Sequence, residues 1–513
     1  MGRYSYETGP HIWCSYVDEL FVLDVNITDY GILSFTLTNV ADESAVQGST
    51  IEELESLIAN LHKSYDLKVV DGRYKDRLII YIEDLDLVVQ LFGDKITDMR
   101  IKKIIQCGNI EFRSWREFTR KDPIPVMKDW GNRFREGKCP YLTPSQYTRK
   151  RLRKVAKGKA SKMFPSDIKQ LTLVELAVHG GVLYNRPEEG VINNLLGYDI
   201  CSAYIYSLLF KKHASTEMKQ ANPASWSDYL RRTDKGSIGL YRIKYNSIFT
   251  SVRCFHDTQG ERLQTGEHTV EIALSNVDLR ILIDNTYPGV SAVQCLMLYT
   301  FDLDYLPEEF RRYCAEEFIK KESLPRGSAA YKNQKVILNG GFFGNLLYEA
   351  KSLNEIEDAG ERREALKRKR KDASTAPQWG IITMAHAKSS VYQIGLKVSG
   401  WHYSDTDSVY CDDDSYNVKL VNSFNQEVRN ENIELCHELG YDKMFGEDAC
   451  KLLDLGTFKL EARIKQFRAW GCKMYAYETV DGDVIQKASG CDKESLPADA
   501  ETIFSPDYKP TAR

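Results

Sequence analysis

The chain predicts a multidomain protein of the α+β class, on three observations. Its 513 residues exceed what one hydrophobic core ordinarily organises. Strand-like and helix-like segments come in blocks: mixed to about residue 165, short strands from about 210 to 310, and helical between 308 and 338. Residues 401–411 (WHYSDTDSVYC) set Asp405 and Asp407 two positions apart between strand-prone flanks, the pattern of a β-hairpin with two carboxylates at its tip. In a strand such residues face the same side; in a tight turn they diverge. Either way two hard anionic ligands are held together, and Mg²⁺ takes one or two carboxylates plus substrate phosphates. A polar turn without that role is the competing reading of the stretch by itself.

Charged residues make up 28% and hydrophobic ones 42%, an ordinary balance for a globular chain. The net charge of −4 does not advertise nucleic-acid binding, so phosphate contacts have to come from local basic patches. The 12 cysteines show no CxxC pair and no His/Cys zinc spacing, which suits reduced thiols in a cytoplasm-like compartment. There is no N-terminal signal pattern. No apolar run approaches the roughly 18 residues of a membrane span, so no membrane partner is expected.

Taken in order, residues 20–23 and 32–37 read as strands, and Ser49-Thr50 caps a helix over 51–61 with Leu54, Leu57, Ile58 and Leu61 on one face. Residues 77–92 are apolar but broken by Glu83, Asp84 and Asp86, and Pro123 and Pro125 punctuate a loop. Residues 149–162 (RKRLRKVAKGKASK) are strongly basic, either a solvated helix face or a contact for nucleic-acid phosphates. Gly180-Gly181 permits close backbone approach. Residues 195–204 (LLGYDICSAY) read as a strand ending at Asp199, then a tight turn leading to Tyr204; such an Asp is a metal ligand or a turn residue.

Strands are expected over 237–245, 269–273 and 295–301, with Ser275 capping a following helix. Helices are expected over 308–322 and 329–338. The second carries Lys332 and Lys335 and is stopped by Asn339-Gly340-Gly341, which exposes Phe342 and Phe343. Lysines beside an aromatic corner can hold a triphosphate and stack a base, or are merely solvated. Residues 355–372 form a charged helical run with a basic end. A core helix over 379–398 leads into the hairpin, and 469–478 (AWGCKMYAYE) reads as one strand with Lys473 and Tyr475 on one side. The stretch from about 500 shows no evident element.

In this order, a strand-end Asp followed by Ser and Tyr, a Lys-x-x-x-Asn helix ending in aromatic-Gly, Tyr-x-Asp-Thr-Asp-Ser and Lys-x-Tyr resemble a family B DNA polymerase. The spacing and the segment Leu274-Ser275-Asn276-Val277-Asp278-Leu279 resemble its protein-primed, phi-twenty-nine-like branch. The resemblance implies a right-hand polymerase: antiparallel palm, helical fingers, reduced thumb and an N-terminal RNase H-like α/β exonuclease-type domain. The implied domains are an exonuclease-like domain over 1–165, palm over 166–210, a terminal-protein-region-1-like insertion with palm over 211–305 and fingers over 306–349. A terminal-protein-region-2-like insertion over 350–377, palm over 378–505 and a thumb remnant or tail over 506–513 follow.

The resemblance also implies residue roles. Asp199 and Asp407 would bind two Mg²⁺ ions, with Mn²⁺ as a substitute, and Asp405 would be their less essential neighbour. Tyr204 would exclude a 2′-hydroxyl. Lys335, with Lys321 or Lys332, would hold the nucleotide's phosphates, and Asn339 and Phe343 would line the nascent base pair. Lys473 and Tyr475 would hold the primer end, with Ser202 beside them. Gly180-Gly181 would match the Tyr-x-Gly-Gly link between domains, although Val178 stands at the Tyr position. The implied partners are template and primer DNA, deoxynucleoside triphosphates, a terminal priming protein and a separate thumb or processivity chain. The implied setting is a host-cell cytoplasm, for a virus- or plasmid-encoded enzyme.

The exonuclease motifs depart from the family. Asp24-Val25-Asn26 has Asn26 where Glu is usual, Asp84 to Val88 ends in Val instead of Asp, and Tyr147 to Arg151 ends in Arg where a metal ligand belongs. Arg has no acceptor and cannot ligate a cation. The nucleotide helix runs Asn339-Gly340-Gly341-Phe342-Phe343-Gly344, one residue longer than the family pattern, Ala203 and Ile205 replace Leu and Pro, and few residues follow Tyr475 for a thumb. The expected function is a template-directed, protein-primed DNA polymerase without proofreading. The alternatives are an exonuclease-dead polymerase with template-independent synthesis and a non-catalytic nucleic-acid or terminal-protein scaffold.

Overall fold

The computed structural model describes residues 3–7, 13–28, 31–64, 69–70, 73–74, 76–92, 96, 98–100, 104–107, 110–115, 123–135, 144–185, 190–247, 254–285, 288–351, 353, 356, 358–488, 497, 499–505 and 508. The fold is α+β and divides into two compact units, Met1–Thr148 with Lys320–Gly341, and Arg149–Ile319 with Phe342–Arg513.

In the first unit the strand Trp13–Thr28 pairs in parallel with Asp76–Ile82, which pairs in parallel with Ile110–Ser114; the remaining pairs of this eight-stranded sheet are antiparallel. Phe21, Leu23, Phe35, Leu54, Ile80 and Phe112 fill its core. The helix Ile51–Ser64 starts as the sequence predicts: the Glu53 N–H donates to Thr50 Oγ1 (3.2 Å) and the Ser49 N–H to Glu53 Oε2 (2.7 Å), a reciprocal cap. Pro123 and Pro125 do not make a loop. They open the helix Pro123–Arg135, where the first turn has no use for their missing N–H groups.

Gly340-Gly341 likewise does not stop its helix. Ala329–Val336 passes through a wide turn of π-helix, Ile337–Phe343, into a further helix, Gly344–Lys351. A Cβ on Gly341 would collide with Thr148, so the close approach explains this glycine. Phe342 is fully buried against Phe310 and Tyr313 rather than exposed.

In the second unit a seven-stranded antiparallel sheet runs in the order Val182–Asn185, Tyr403–Thr406, Ser408–Asp412, Ile192–Ile200, Phe458–Gly471, Met474–Thr479, Val484–Ala488. The Asp199 strand is therefore central. Residues 469–478 fold as a hairpin and not as one strand: Gly471 pairs with Met474 and Lys473 sits at the turn with φ of 61°. A second antiparallel sheet contains Lys235–Ser247, Gly266–Ser275 and Pro288–Asp304, longer than their apolar runs suggest.

Ser275 caps the helix Asn276–Asn285, its Oγ accepting from the Asp278 N–H at 3.1 Å. The helix Pro377–Gly395 is buried almost all round, as its apolar sequence predicts. It is tied to Asn276–Asn285 by a buried ion pair, Lys388 Nζ to Asp278 Oδ1 at 2.7 Å, each side chain 1% exposed. The charged run forms the helix Ala359–Asp372, capped by Asp358 and burying only Ala365 and Leu366. A short helix, Ala500–Phe504, lies where no element was expected; Asp499 caps it and Ile503 is buried. No helix among the described residues is long and apolar enough to cross a membrane.

A carboxylate hairpin as candidate active site

The hairpin Tyr403–Thr406 to Ser408–Asp412 turns in a single residue. The Asp407 N–H donates to the Asp405 carbonyl at 2.9 Å, and Thr406 between them has φ of 71°. A β-branched residue rarely adopts that conformation, so the tip is strained. Its neighbours hold it there. The Asp405 N–H donates to Ser408 Oγ (3.0 Å), Ser408 Oγ–H returns to the Asp405 carbonyl (3.2 Å), and Thr406 Oγ1–H donates to Asp405 Oδ1 (3.1 Å).

Val182 pairs with Thr406, which brings Gly181 against the tip: a Cβ there would lie 2.7 Å from Thr406 Cγ2 and 2.9 Å from its Cα. Gly181 is thus required by close approach, whereas a Cβ on Gly180 would meet open space.

The register joins the hairpin to Asp199. Asp199 pairs with Ser408, and the Ile200 N–H donates to the Asp407 carbonyl at 3.0 Å. Asp199, Asp405 and Asp407 are all half-buried. Lys473 Nζ lies 3.3 Å from Asp405 Oδ1, and the Lys473 N–H donates to Tyr403 Oη at 2.8 Å, so the strained Lys473 turn is pinned to the hairpin at two points. Tyr475 is buried among Tyr403, Tyr410 and Phe467. Burial pushes its phenol up to about 12, and the charges of Asp405 and Asp199 act in the same direction.

Ser202 adopts the left-handed conformation (φ 50°) and launches the helix Ala203–Phe210, so Tyr204 stands in a first helical turn rather than at the end of a loop. Its ring stacks on Phe343 at 3.8 Å between centroids and 6° between planes. Burial raises the Tyr204 phenol far above its ordinary value, and Asp407 and then Asp405 add to the rise. The phenols around the carboxylates therefore remain neutral at physiological pH. Of five described non-glycine residues with positive φ, three (Ser202, Thr406 and Lys473) lie in this corner; such strain concentrates at functional sites.

Lys321, Lys332, Lys335 and Asn339 belong to the first unit and the carboxylates to the second. Lys335 is exposed in the last turn of its helix, Asn339 is exposed in the wide turn, and Lys321 is buried and paired with Glu322 at 2.8 Å. Sequence reasoning missed Lys459, which pairs with Asp199 from the neighbouring strand and so shares its face. It also missed Gly456, whose φ of 81° and contact with the Tyr206 ring admit no side chain. Neither carries a local signal, because strand partners are set by register.

The donors are of the kind Mg²⁺ takes, hard carboxylate oxygens, few in number, which it complements with substrate oxygens. Among the described residues no group of three or more His, Cys, Asp or Glu side chains is gathered closely enough to hold a metal ion by itself. A second acidic corner lies in the first unit. Parallel pairing of Leu23 with Ile82 brings Asp24 beside Glu83 in a cleft of about 240 Å³ that Asn26 also lines. Desolvation and then the Glu83 charge push the Asp24 carboxyl up. Glu83 lies one residue before the Asp84 to Val88 segment, and Val88, which stands where the family has Asp, is fully buried in the core. Arg151 is engaged in its own unit, 3.2 Å from Glu316, 3.5 Å from Glu317 and 4.0 Å over the Tyr313 ring.

No family model matches the chain, and no curated protein matches it. Solved structures do. Phi29 DNA polymerase complexed with primer-template DNA, in the post-translocation binary complex, is similar at 13% identity and a TM-score of 0.63, covering 93% of each chain. The same polymerase complexed with single-stranded DNA is similar at 13% identity, TM-score 0.61 and 93% of each chain. Its ternary complex with primer-template DNA and incoming nucleotide substrates is similar at 12% identity, TM-score 0.58 and 94% of each chain. The chain has the α+β right-hand fold of that polymerase.

Proposed function

We propose that the chain is a template-directed DNA polymerase whose reaction centre is Asp199 and Asp407. The observation that carries this reading is the bond from the Ile200 N–H to the Asp407 carbonyl. It joins the two motifs at the middle of the sheet. The likeness to a polymerase complexed with primer-template DNA supports it.

Asp199 and Asp407 would hold a pair of Mg²⁺ ions, which supply acidification of the primer hydroxyl and neutralisation of the triphosphate. The chain's own residues do the positioning. Lys473 holds Asp405 and keeps it oriented away from free rotation, consistent with Asp405 as the less essential carboxylate. Tyr204, clamped flat against Phe343, presents a fixed ring edge where a 2′-hydroxyl would have to fit. Lys473, half exposed at its turn, would meet the primer end, with the buried Tyr475 packed against Tyr403 of the carboxylate hairpin. Lys335 and Asn339, both exposed in the first unit, are the candidates to contact the incoming nucleotide, and base pairing would supply sequence.

The finer parts of the reading are protein priming, suggested by the Leu274 to Leu279 segment, and the absence of proofreading. Asn26 and Arg151 stand where carboxylates are needed, and the engagement of Arg151 with Glu316 and Glu317 supports its having a structural role. The test is a labelled primer–template with Mg²⁺, with and without deoxynucleotides. Template-directed extension without shortening is expected. Shortening in their absence would restore the exonuclease, and extension that ignores a homopolymer template's complement would favour template-independent synthesis.

A further inference from the structure

A cavity of about 580 Å³ in the second unit shares no residue with the carboxylate site. Its size is that of a small-ligand pocket. Two helical stripes form its walls: Val277, Arg280, Ile281 and Asp284 on Asn276–Asn285, and Ile382, His386, Ser389 and Gln393 on Pro377–Gly395. The spacing within each stripe puts its members on one face. The buried Lys388–Asp278 pair links these two helices, so their separation is preset. Breaking such a pair leaves a buried charge uncompensated.

The lining is of two kinds. Leu230, Val277, Leu303 and Leu396 supply apolar surface, with Thr233 and Gln393 as exposed hydrogen-bonding groups; Tyr392 is 3% exposed, its hydroxyl 3.5 Å from Cys254 Sγ. Lys212, Arg232, Arg280 and Lys397 bring four cations against one lining carboxylate, Asp284, in a chain whose net charge is −4. Arg280 lies 3.6 Å from Asp284, and Arg232 is bonded to Asp234. Lys397 is exposed on the rim, whereas the Lys212 ammonium lies 5.8 Å over the ring of Tyr305, which does not line the cavity. His386 adds no charge at neutral pH, since burial and then His213 push it down to about 3.

We propose that this cavity is a nucleoside-phosphate site, with the base against the apolar wall of Leu230, Val277 and Leu303 and the phosphates between Arg280 and Lys397. Apolar side chains beside exposed cations and exposed hydrogen-bonding groups match a ligand with a flat uncharged body and an anionic end. The proposal rests on the cavity and its charges and does not depend on the polymerase reading. A natural reporter is built in: the Tyr392 ring meets Trp401 edge-on at 5.8 Å, and Trp401 Nε1–H donates to Ser404 Oγ at 2.9 Å.

The experiment titrates the full chain with a nucleoside triphosphate in EDTA, by calorimetry and tryptophan fluorescence, with inorganic triphosphate as a second probe. Saturable binding is expected. It should weaken about tenfold or more in Arg280→Glu/Lys397→Glu, the scale of a lost charge-assisted hydrogen bond, and persist in Asp199→Asn/Asp407→Asn. Inorganic triphosphate should bind more weakly than the nucleotide. Ser389→Trp, which fills the cavity without changing charge, should also abolish binding and decides the matter if the double variant melts early. The proposal is overturned by absence of saturable binding, by binding that the rim and cavity variants leave intact, by binding that needs the carboxylates, or by inorganic triphosphate binding equally well.

Discussion

Each compact unit brings carboxylates together at neighbouring β-strands, and the two corners are built differently. In the second unit Asp405 and Asp407 flank a strained Thr406, with Gly181 packed against the tip, Ser408 bracing it, Lys473 on Asp405 and Asp199 joined through the backbone. In the first, Asp24 and Glu83 meet across a parallel strand pair in a cleft that Asn26 also lines, and none of these residues has positive φ. Strain of about 1 to 3 kcal/mol persists only where surroundings over-determine it. The hairpin shows that over-determination and the N-terminal cleft does not. The two corners share clustered charge and differ in how far the backbone is committed to holding it.

The sharpest way to break this contrast is to neutralise one carboxylate in each corner. Asp407→Asn should lower nucleotide incorporation by about a thousandfold or more while leaving DNA binding measurable, on the scale of lost electrostatic stabilisation in the transition state. Asp24→Asn should leave primer extension and primer length unchanged. Comparable losses in both would make the N-terminal cleft functional.

Acid should affect the two units unequally. Burial pushes His179 and His213, both in the second unit, down to about 4, with Lys388 adding to the effect on His179. The unfolded chain then binds more protons than the folded one between about pH 6.5 and 4. Stability is therefore present above pH 6.5 and declines as pH falls towards 4, by on the order of 3 kcal/mol for each histidine. Hydrogen exchange at pH 7 and 4.5 should show the second unit losing protection; uniform loss in both units would refute the assignment.

Gly181→Ala sharpens the backbone half of the contrast. Its Cβ would sit 2.7 Å from Thr406 Cγ2, and relieving that overlap should cost about 1 to 3 kcal/mol in denaturant melts and reduce kcat. Gly180→Ala, with open space around it, should stay within about 0.5 kcal/mol. Equal effects would mean that the tip does not depend on close approach. The smallest effect is expected at Tyr204→Ala, which removes the ring stacked on Phe343. Ribonucleotide use relative to deoxynucleotide use should rise about tenfold, a difference of about 1.4 kcal/mol. An unchanged ratio would remove Tyr204 as the gate.

Much of the local structure was legible in the chain. Ser49-Thr50, Ser275 and the largely apolar 379–398 stretch announce themselves, because caps and periodicity act within one or two turns. The misreadings share one cause. Pro123, Gly340-Gly341 and the 469–478 run each carry a local breaker or strand signal that packing overrode: helix starts accept Pro, Gly341 is set by Thr148, and Lys473 is held at a turn by Tyr403 and Asp405. Glu83 and Lys459 were invisible for a different reason, since a side chain's neighbour across a sheet depends on register and not on spacing.

By itself, then, the sequence determined the chemistry available: which carboxylates, lysines and tyrosines exist, in what order, and on which strands and helices, because these follow from residue type and short-range geometry. Only the tertiary structure decided which of them act together. The bond from Ile200 to Asp407, the press of Gly181 on Thr406, the Asp24–Glu83 neighbourhood and the cation-rimmed cavity are all contacts between distant parts of the chain. Long-range register and packing select such contacts from many that local pattern leaves equally open.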